Sequence, residues 1–328
     1  MHRRDWLKTS AAATAASLLT AHQSPAADAR PARIAISLDL EMSRNFPAWE
    51  MTHWDYEKGN LNEETKRYSV EAARRVKAAG GQVHFFAVGR VCEQADVSWL
   101  KTIAEQGHPI GNHTYDHVNV LAQRPQDLQF RFQRAPWLLR GQSVAEAIRE
   151  NIQLTNIALK DRIGITPLGF RTPGGFTDGL RSSREVRALL KDLGFNWVSS
   201  LYPAHPHTAP RQQPSTQLLQ EIVAAQSLAQ PFRYDDGLCE IPMSPISDIG
   251  AFRTGRWELS WFLQTVEQGV RWAIEHQAVF DFLGHPSCLY VVDPQFQSID
   301  LICRLVREAG ERAQLVSLDS IARSLPNG

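Results

Sequence analysis

From Arg33 onward the chain alternates between short apolar, β-rich runs and longer stretches in which apolar residues recur every three or four positions. The runs at 33–40, 83–88, 108–112, 168–171, 196–200, 239–243, 279–285 and 313–317 predict strands, and the stretches between them predict helices. That alternation is the pattern of parallel strands joined by crossover helices. The first helix is the plainest: Leu61, Thr65, Tyr68, Ala72, Val76 and Ala79 form one stripe, Asn62 can cap its start, Glu63 and Glu64 suit the positive end of its dipole, and Gly80-Gly81 ends it. Seven or eight such units predict an α/β fold, a distorted (β/α) barrel of seven or eight parallel strands, with its working groups at the carboxyl ends of the strands. Three connections, 42–60, 118–164 and 201–237, exceed what a crossover needs, and each follows a strand and so projects on that same face.

Composition narrows the picture only a little. The 328 residues, 43% of them hydrophobic, can bury one large core. Thirty-five basic residues balance thirty-five acidic ones, so no broad basic face is expected and nucleic acid is not an expected partner. The first 29 residues read as targeting rather than fold: Arg3-Arg4 lead into a weakly apolar run from Ala11 to Ala21 and then Ala27-Asp28-Ala29, the pattern of a twin-arginine export signal. The mature chain, residues 30–328, is then expected in the periplasm or outside the cell. The leader is too short and too rich in Ala, Ser and Thr for a stable span, and no other stretch could cross a bilayer. Cys92, Cys239, Cys288 and Cys303 lack Cys-x-x-Cys spacing and are expected as free, mostly buried thiols.

Candidate chemistry gathers at four strand ends. His113 and His117 follow one strand four residues apart, close enough for one turn of chain to bring both imidazoles to an ion. Asp39 and Glu41 close another, and their spacing of two puts both carboxylates on one side, where one could hold a metal while the other takes a proton from water. Arg171 and the Pro173-Gly174-Gly175 turn offer a guanidinium that could pair with Asp39 and backbone amides that could face an oxyanion. His285 ends the last of the four and could serve as a general acid, whereas Asp281, roughly 13 Å back along an extended strand, reads as a structural carboxylate.

Taken together, these motifs resemble the NodB-like polysaccharide deacetylases, carbohydrate esterase family four, over roughly residues 33–320. Asp39 with Glu41, Phe85-Phe86-Ala87-Val88-Gly89, His113 to His117, Arg171 to Pro173, Trp197, and Leu283 with His285 match that family's motifs in the same order. The resemblance implies a NodB-like barrel that removes acetyl groups from a carbohydrate, N-acetyl ahead of O-acetyl. It implies a divalent metal, Zn2+ first with Co2+, Ni2+ or Mn2+ as alternatives, held by Glu41, His113 and His117. It assigns Asp39 as base, His285 as acid, Arg171 as the partner of Asp39, Gly174 as oxyanion donor, and Trp197 and Leu283 as walls of the methyl pocket. Two positions depart from the family: Leu40 stands where a ligand Asp is usual, so Glu41 takes that role, and Asn196 stands where an Asp often supports the acid histidine. A metal-independent amidohydrolase on a small cyclic amide, like the allantoinases, and a non-catalytic glycan-binding barrel are the competing readings. Trp49, Trp54 and Tyr56 in the first long loop could stack on sugar rings.

Overall fold

The computed structural model describes residues 30–326, so the expected export signal at 1–29 lies outside the described residues. The strands are β1 (Ala32–Leu40), β2 (Val83–Ala87), β3 (Ile110–Asn112), β4 (Gly169–Phe176), β5 (Trp197–Leu201), β6 (Phe232–Arg233), β7 (Cys239–Glu240), β8 (Val279–Gly284) and β9 (Ala313–Leu315). They form one curled sheet in the order β6-β7-β5-β4-β3-β2-β1-β8, with β9 beside the start of β1. Every pairing is parallel except the two-residue β6–β7 contact. All eight expected strands are present, and only β6 was not anticipated. The gap between β7 and β8 is bridged just past β7: the Ser244 amide donates to the Asp281 carbonyl, and the Asp281 amide donates to Ser244 Oγ. The barrel is therefore nearly closed.

Parallel strands under helices are buried on both faces, and β1 shows how its two sides divide. Ile34, Ile36, Leu38 and Leu40 face outward into a core shared with Tyr68, Ala72 and Val76 of the first helix and with Phe262, Phe282 and Ile302. The alternate residues Ala35, Ser37 and Asp39 line the interior. The first helix runs Glu63–Ala78, and Asn62 accepts from the Thr65 amide as its cap. Gly80 follows at φ +83°, a conformation that costs glycine little.

The connection at 118–164 is mostly helical. A 20-residue helix, Val144–Ile163, opens with a reciprocal Ser143–Glu146 capping box and stops at left-handed Gly164. With Val118, Val120, Leu128 and Phe132 it builds a second apolar core against Phe170 and Val198. That core props one wall of the barrel mouth. Among the described residues no helix is long and apolar enough to cross a membrane, and the four cysteines are free.

Candidate active site

β1 ends at Leu40, and the Glu41 amide turns back to the Asp39 carbonyl (3.0 Å), so both carboxylates enter the mouth while Leu40 packs outward. After β3, Thr114 and His117 both adopt positive φ, near 58° and 59°. Such conformations are strained for a non-glycine residue, especially a β-branched one, and persist only where surrounding bonds hold them. Here Asn112 Oδ1 accepts from the Thr114 amide, Thr114 Oγ1 accepts from the Val118 amide, and Asn151 Oδ1 accepts from the Asp116 amide. The resulting turn sets the His113 and His117 rings 5.0 Å apart at 74°.

Donor atoms of Glu41, His113 and His117 lie within 4.8 Å of one another. The His113 Nδ1–H donates to the Arg171 carbonyl (2.9 Å), which leaves Nε2 unprotonated toward the cluster. Burial lowers the His113 pKa to about 4, keeping the ring neutral as a ligand requires. Glu41 is held well below the usual carboxylate range; burial opposes this, but His117 and Lys58 outweigh it. Its Oε2 is buried without a hydrogen bond, although it stands 2.6 Å from His117 Nε2. The neutral His113 ring, His117 and the buried, ionised Glu41 carboxylate together make a two-nitrogen, one-oxygen donor set that fits a divalent ion.

Arg171 is fully buried and ties the interior together. It donates to Asp39 Oδ1 (3.0 Å), Asp281 Oδ2 (2.7 Å), Ser37 Oγ (2.8 Å) and Ser199 Oγ. One Asp39 oxygen is thereby fixed. The other, Oδ2, looks into the mouth, 3.7 Å from His113 Nε2 and 3.8 Å from His285 Nε2. Asp281 is the structural partner its position on β8 suggested.

The support of His285 is Asp248, which the sequence reading did not find. Asp248 Oδ1 accepts from His285 Nδ1–H (2.8 Å) and its Oδ2 from the His285 amide (2.7 Å), with no exposed surface. Burial by itself lowers the His285 pKa, but Asp248, with Asp39 and Glu41, more than offsets it and the net shift is upward. Thirty-seven residues separate the pair, and the only trace in the sequence is an Asp a few positions past the strand at 239–243. Asn196, where that support was sought, lies instead by Trp197 and Arg323 at the far end of the barrel. Lys58 was also missed: from the first long loop its Nζ donates to Glu41 Oε1 (3.1 Å), and both side chains are nearly buried.

Trp197 corrects one expectation. It is 1% exposed and packs edge-on against His84 and Phe86, whose ring lies under the Arg171 guanidinium, and its Nε1–H donates to Asp319. A Cβ at Gly169 would fall 1.9 Å from its ring, so the neighbouring strand must carry glycine there. Trp197 is a floor residue, separated from the mouth by Phe86 and Arg171, because it begins β5 whereas Arg171 stands two residues inside β4. Leu283 sits between Asp281 and His285 on β8, 9% exposed. Gly174 (φ +79°) lines an open groove of about 1270 Å³ that reaches His117 and is flanked by Trp49, Lys58, Gln129, Phe130 and Arg253. Of the loop aromatics, Trp49 lines this groove, while Trp54 donates to the Phe46 carbonyl and packs on the core.

A family model described as polysaccharide deacetylase matches residues 55–198. That span holds His113, His117 and Arg171 but neither the β1 carboxylates nor the Asp248–His285 pair. Among solved structures, the chain is similar to a protein described as a polysaccharide deacetylase from Mycobacterium smegmatis (16% identity, 90% of this chain and 91% of that one, TM-score 0.59). It is also similar to one so described from Pseudomonas aeruginosa PAO1 (12%, 89% and 89%, 0.60) and to the Puue allantoinase (13%, 90% and 91%, 0.58). At these identities the likeness concerns the fold. Among curated proteins none matches the chain significantly.

Proposed function

We propose, from the premise that this chain belongs to the NodB-like polysaccharide deacetylases, that it is a metal-dependent hydrolase releasing acetate from an N-acetylated glycan. The observation that carries the reading is the convergence on one point of a candidate base, ligand and acid: Asp39 Oδ2 lies within 3.8 Å of both His113 Nε2 and His285 Nε2. A divalent ion held by Glu41, His113 and His117 would supply Lewis-acid polarisation of water and of the acyl oxygen, with Zn2+ the best match to the donor set and Co2+, Ni2+ or Mn2+ as alternatives.

Asp39, with Oδ1 held by Arg171, is oriented to take the proton of the attacking water on Oδ2. The Gly174 amide at the groove edge would donate to the oxyanion, and Leu283 would wall the methyl group. His285 Nε2 would then protonate the departing nitrogen, and the carboxylate behind Nδ1 keeps the ring charged for that step. An amine leaves only once protonated, which favours amide over ester cleavage. The Puue allantoinase shares the fold, but the buried three-donor cluster argues against a metal-free amidohydrolase here.

The test is acetate release from peptidoglycan, chitin oligomers, an exopolysaccharide and acetylated xylan, with and without chelator and added Zn2+. Activity that vanishes on chelation and returns with Zn2+ is expected. Full activity in a demonstrably metal-free sample would remove the metal claim, and no acetate from any polymer would remove the reaction. Export by the twin-arginine route, to the periplasm or beyond, belongs to the same proposal and is supported by Arg3-Arg4 ahead of a modest apolar run. Replacing both arginines with Lys should strand the protein in the cytoplasm; unchanged export would point to the general secretory route.

A further inference from the structure

Of the Asp, Arg and Lys side chains that line the groove leading to His117, all but one are held in an ion pair, some with a partner outside the lining. Arg44 pairs with Asp55 (3.2 Å), Lys58 with Glu41 (3.1 Å), and Asp127 with Arg124 (2.8 Å). Arg253 lines the same groove and, among the described residues, has neither a carboxylate partner nor a side-chain hydrogen bond. It is only partly exposed, and a guanidinium drawn partly out of water without a partner is costly. Its segment is also rigidly placed. Ile249–Thr254 is a π-helical turn capped by Asp248, the carboxylate that holds His285, and the Trp257 amide donates to the Ala251 carbonyl behind it. Arg256, likewise without an ion pair among the described residues, stacks 3.9 Å from the centroid of the Trp49 ring, another groove residue.

We infer that the glycan carries an anionic group, a carboxylate or a phosphate, within reach of the sugar being deacetylated, and that Arg253 is the specificity residue that reads it, with the Arg256–Trp49 stack as a secondary cationic platform. This rests on the deacetylase reading for the position of the acetylated sugar. Arg is suited to the role because its planar fork meets either anion with two parallel hydrogen bonds. The balanced charge of the whole chain does not oppose this, since selectivity depends on the local cations left unpaired at the groove that leads to His117.

The test compares two matched pairs of ligands by calorimetry: a tetrasaccharide alternating glucuronic acid with N-acetylglucosamine against its carboxyl-reduced form, and a 6-phosphorylated N-acetylglucosamine tetramer against the unphosphorylated tetramer. The full-length protein is measured beside Arg253→Gln and Arg253→Lys. The charged member of one pair should bind about tenfold tighter than its neutral counterpart, as a charge-assisted bond at a partly exposed site allows. Arg253→Gln should bring that ratio close to one, and Arg253→Lys should keep part of it. The pair that responds tells carboxylate from phosphate. Equal binding within both pairs, or an unchanged ratio in Arg253→Gln, overturns the inference. Failure of the deacetylase reading looks different: the ratio survives, but no acetate is released.

Discussion

The mouth and the floor of this barrel are both built from inward-facing residues of one sheet, yet their polar groups are treated in opposite ways. At the mouth, Asp39, Glu41, His113 and His285 are each held from behind, by Arg171, Lys58, the Arg171 carbonyl and Asp248, with one atom left pointing into common space. At the floor, His84 is buried with neither ring nitrogen bonded, its pKa pushed by burial down to about 4, and it serves as a neutral ring against Phe86 and Trp197. The Arg171–Asp281 pair divides the two. Inward alternation places polar residues at both ends; support from behind with an open atom in front separates working groups from packing groups.

Four substitutions test that division. Asp39→Asn should have the largest effect, a loss of about 10²–10⁴ in kcat, the range of a general base, with metal content unchanged by elemental analysis. Glu41→Gln should instead lower Zn2+ affinity in a competition titration by at least the 10–100-fold that loss of an outer-shell partner costs. Stoichiometric zinc and near-normal turnover in that variant would place the ligand elsewhere.

Asp248→Asn should lower kcat by about tenfold or more and move its basic limb to lower pH. The sign follows from the geometry: His285 works while protonated, Asp248 raises its pKa against burial, and removing that charge leaves burial to lower it. A pH–rate profile with an unmoved basic limb would deny Asp248 this role. The smallest effect on turnover belongs to the floor. Trp197→Phe should leave kcat unchanged and cost about 1–2 kcal/mol of stability, from lost packing and the lost bond to Asp319, read as a drop of a few degrees in Tm. A large fall in kcat without a fall in Tm would return Trp197 to the site.

The sequence by itself determined what periodicity and short spacing encode. Strand alternation fixed which residues of β1 face inward, so Asp39 and Glu41 could be paired and Leu40 sent outward. Capping residues set the ends of Glu63–Ala78, and four-residue spacing marked His113 and His117. Only the tertiary structure decided relations without a local period. Asp248 meets His285 across 37 residues because the turn after β7 crosses the gap to β8. Lys58 reaches Glu41 because the Met42 amide binds the Lys58 carbonyl and folds the first loop back on itself. Trp197 falls to the floor rather than the mouth because the register between strands, which no single strand encodes, pairs it with Gly169, two residues before Arg171.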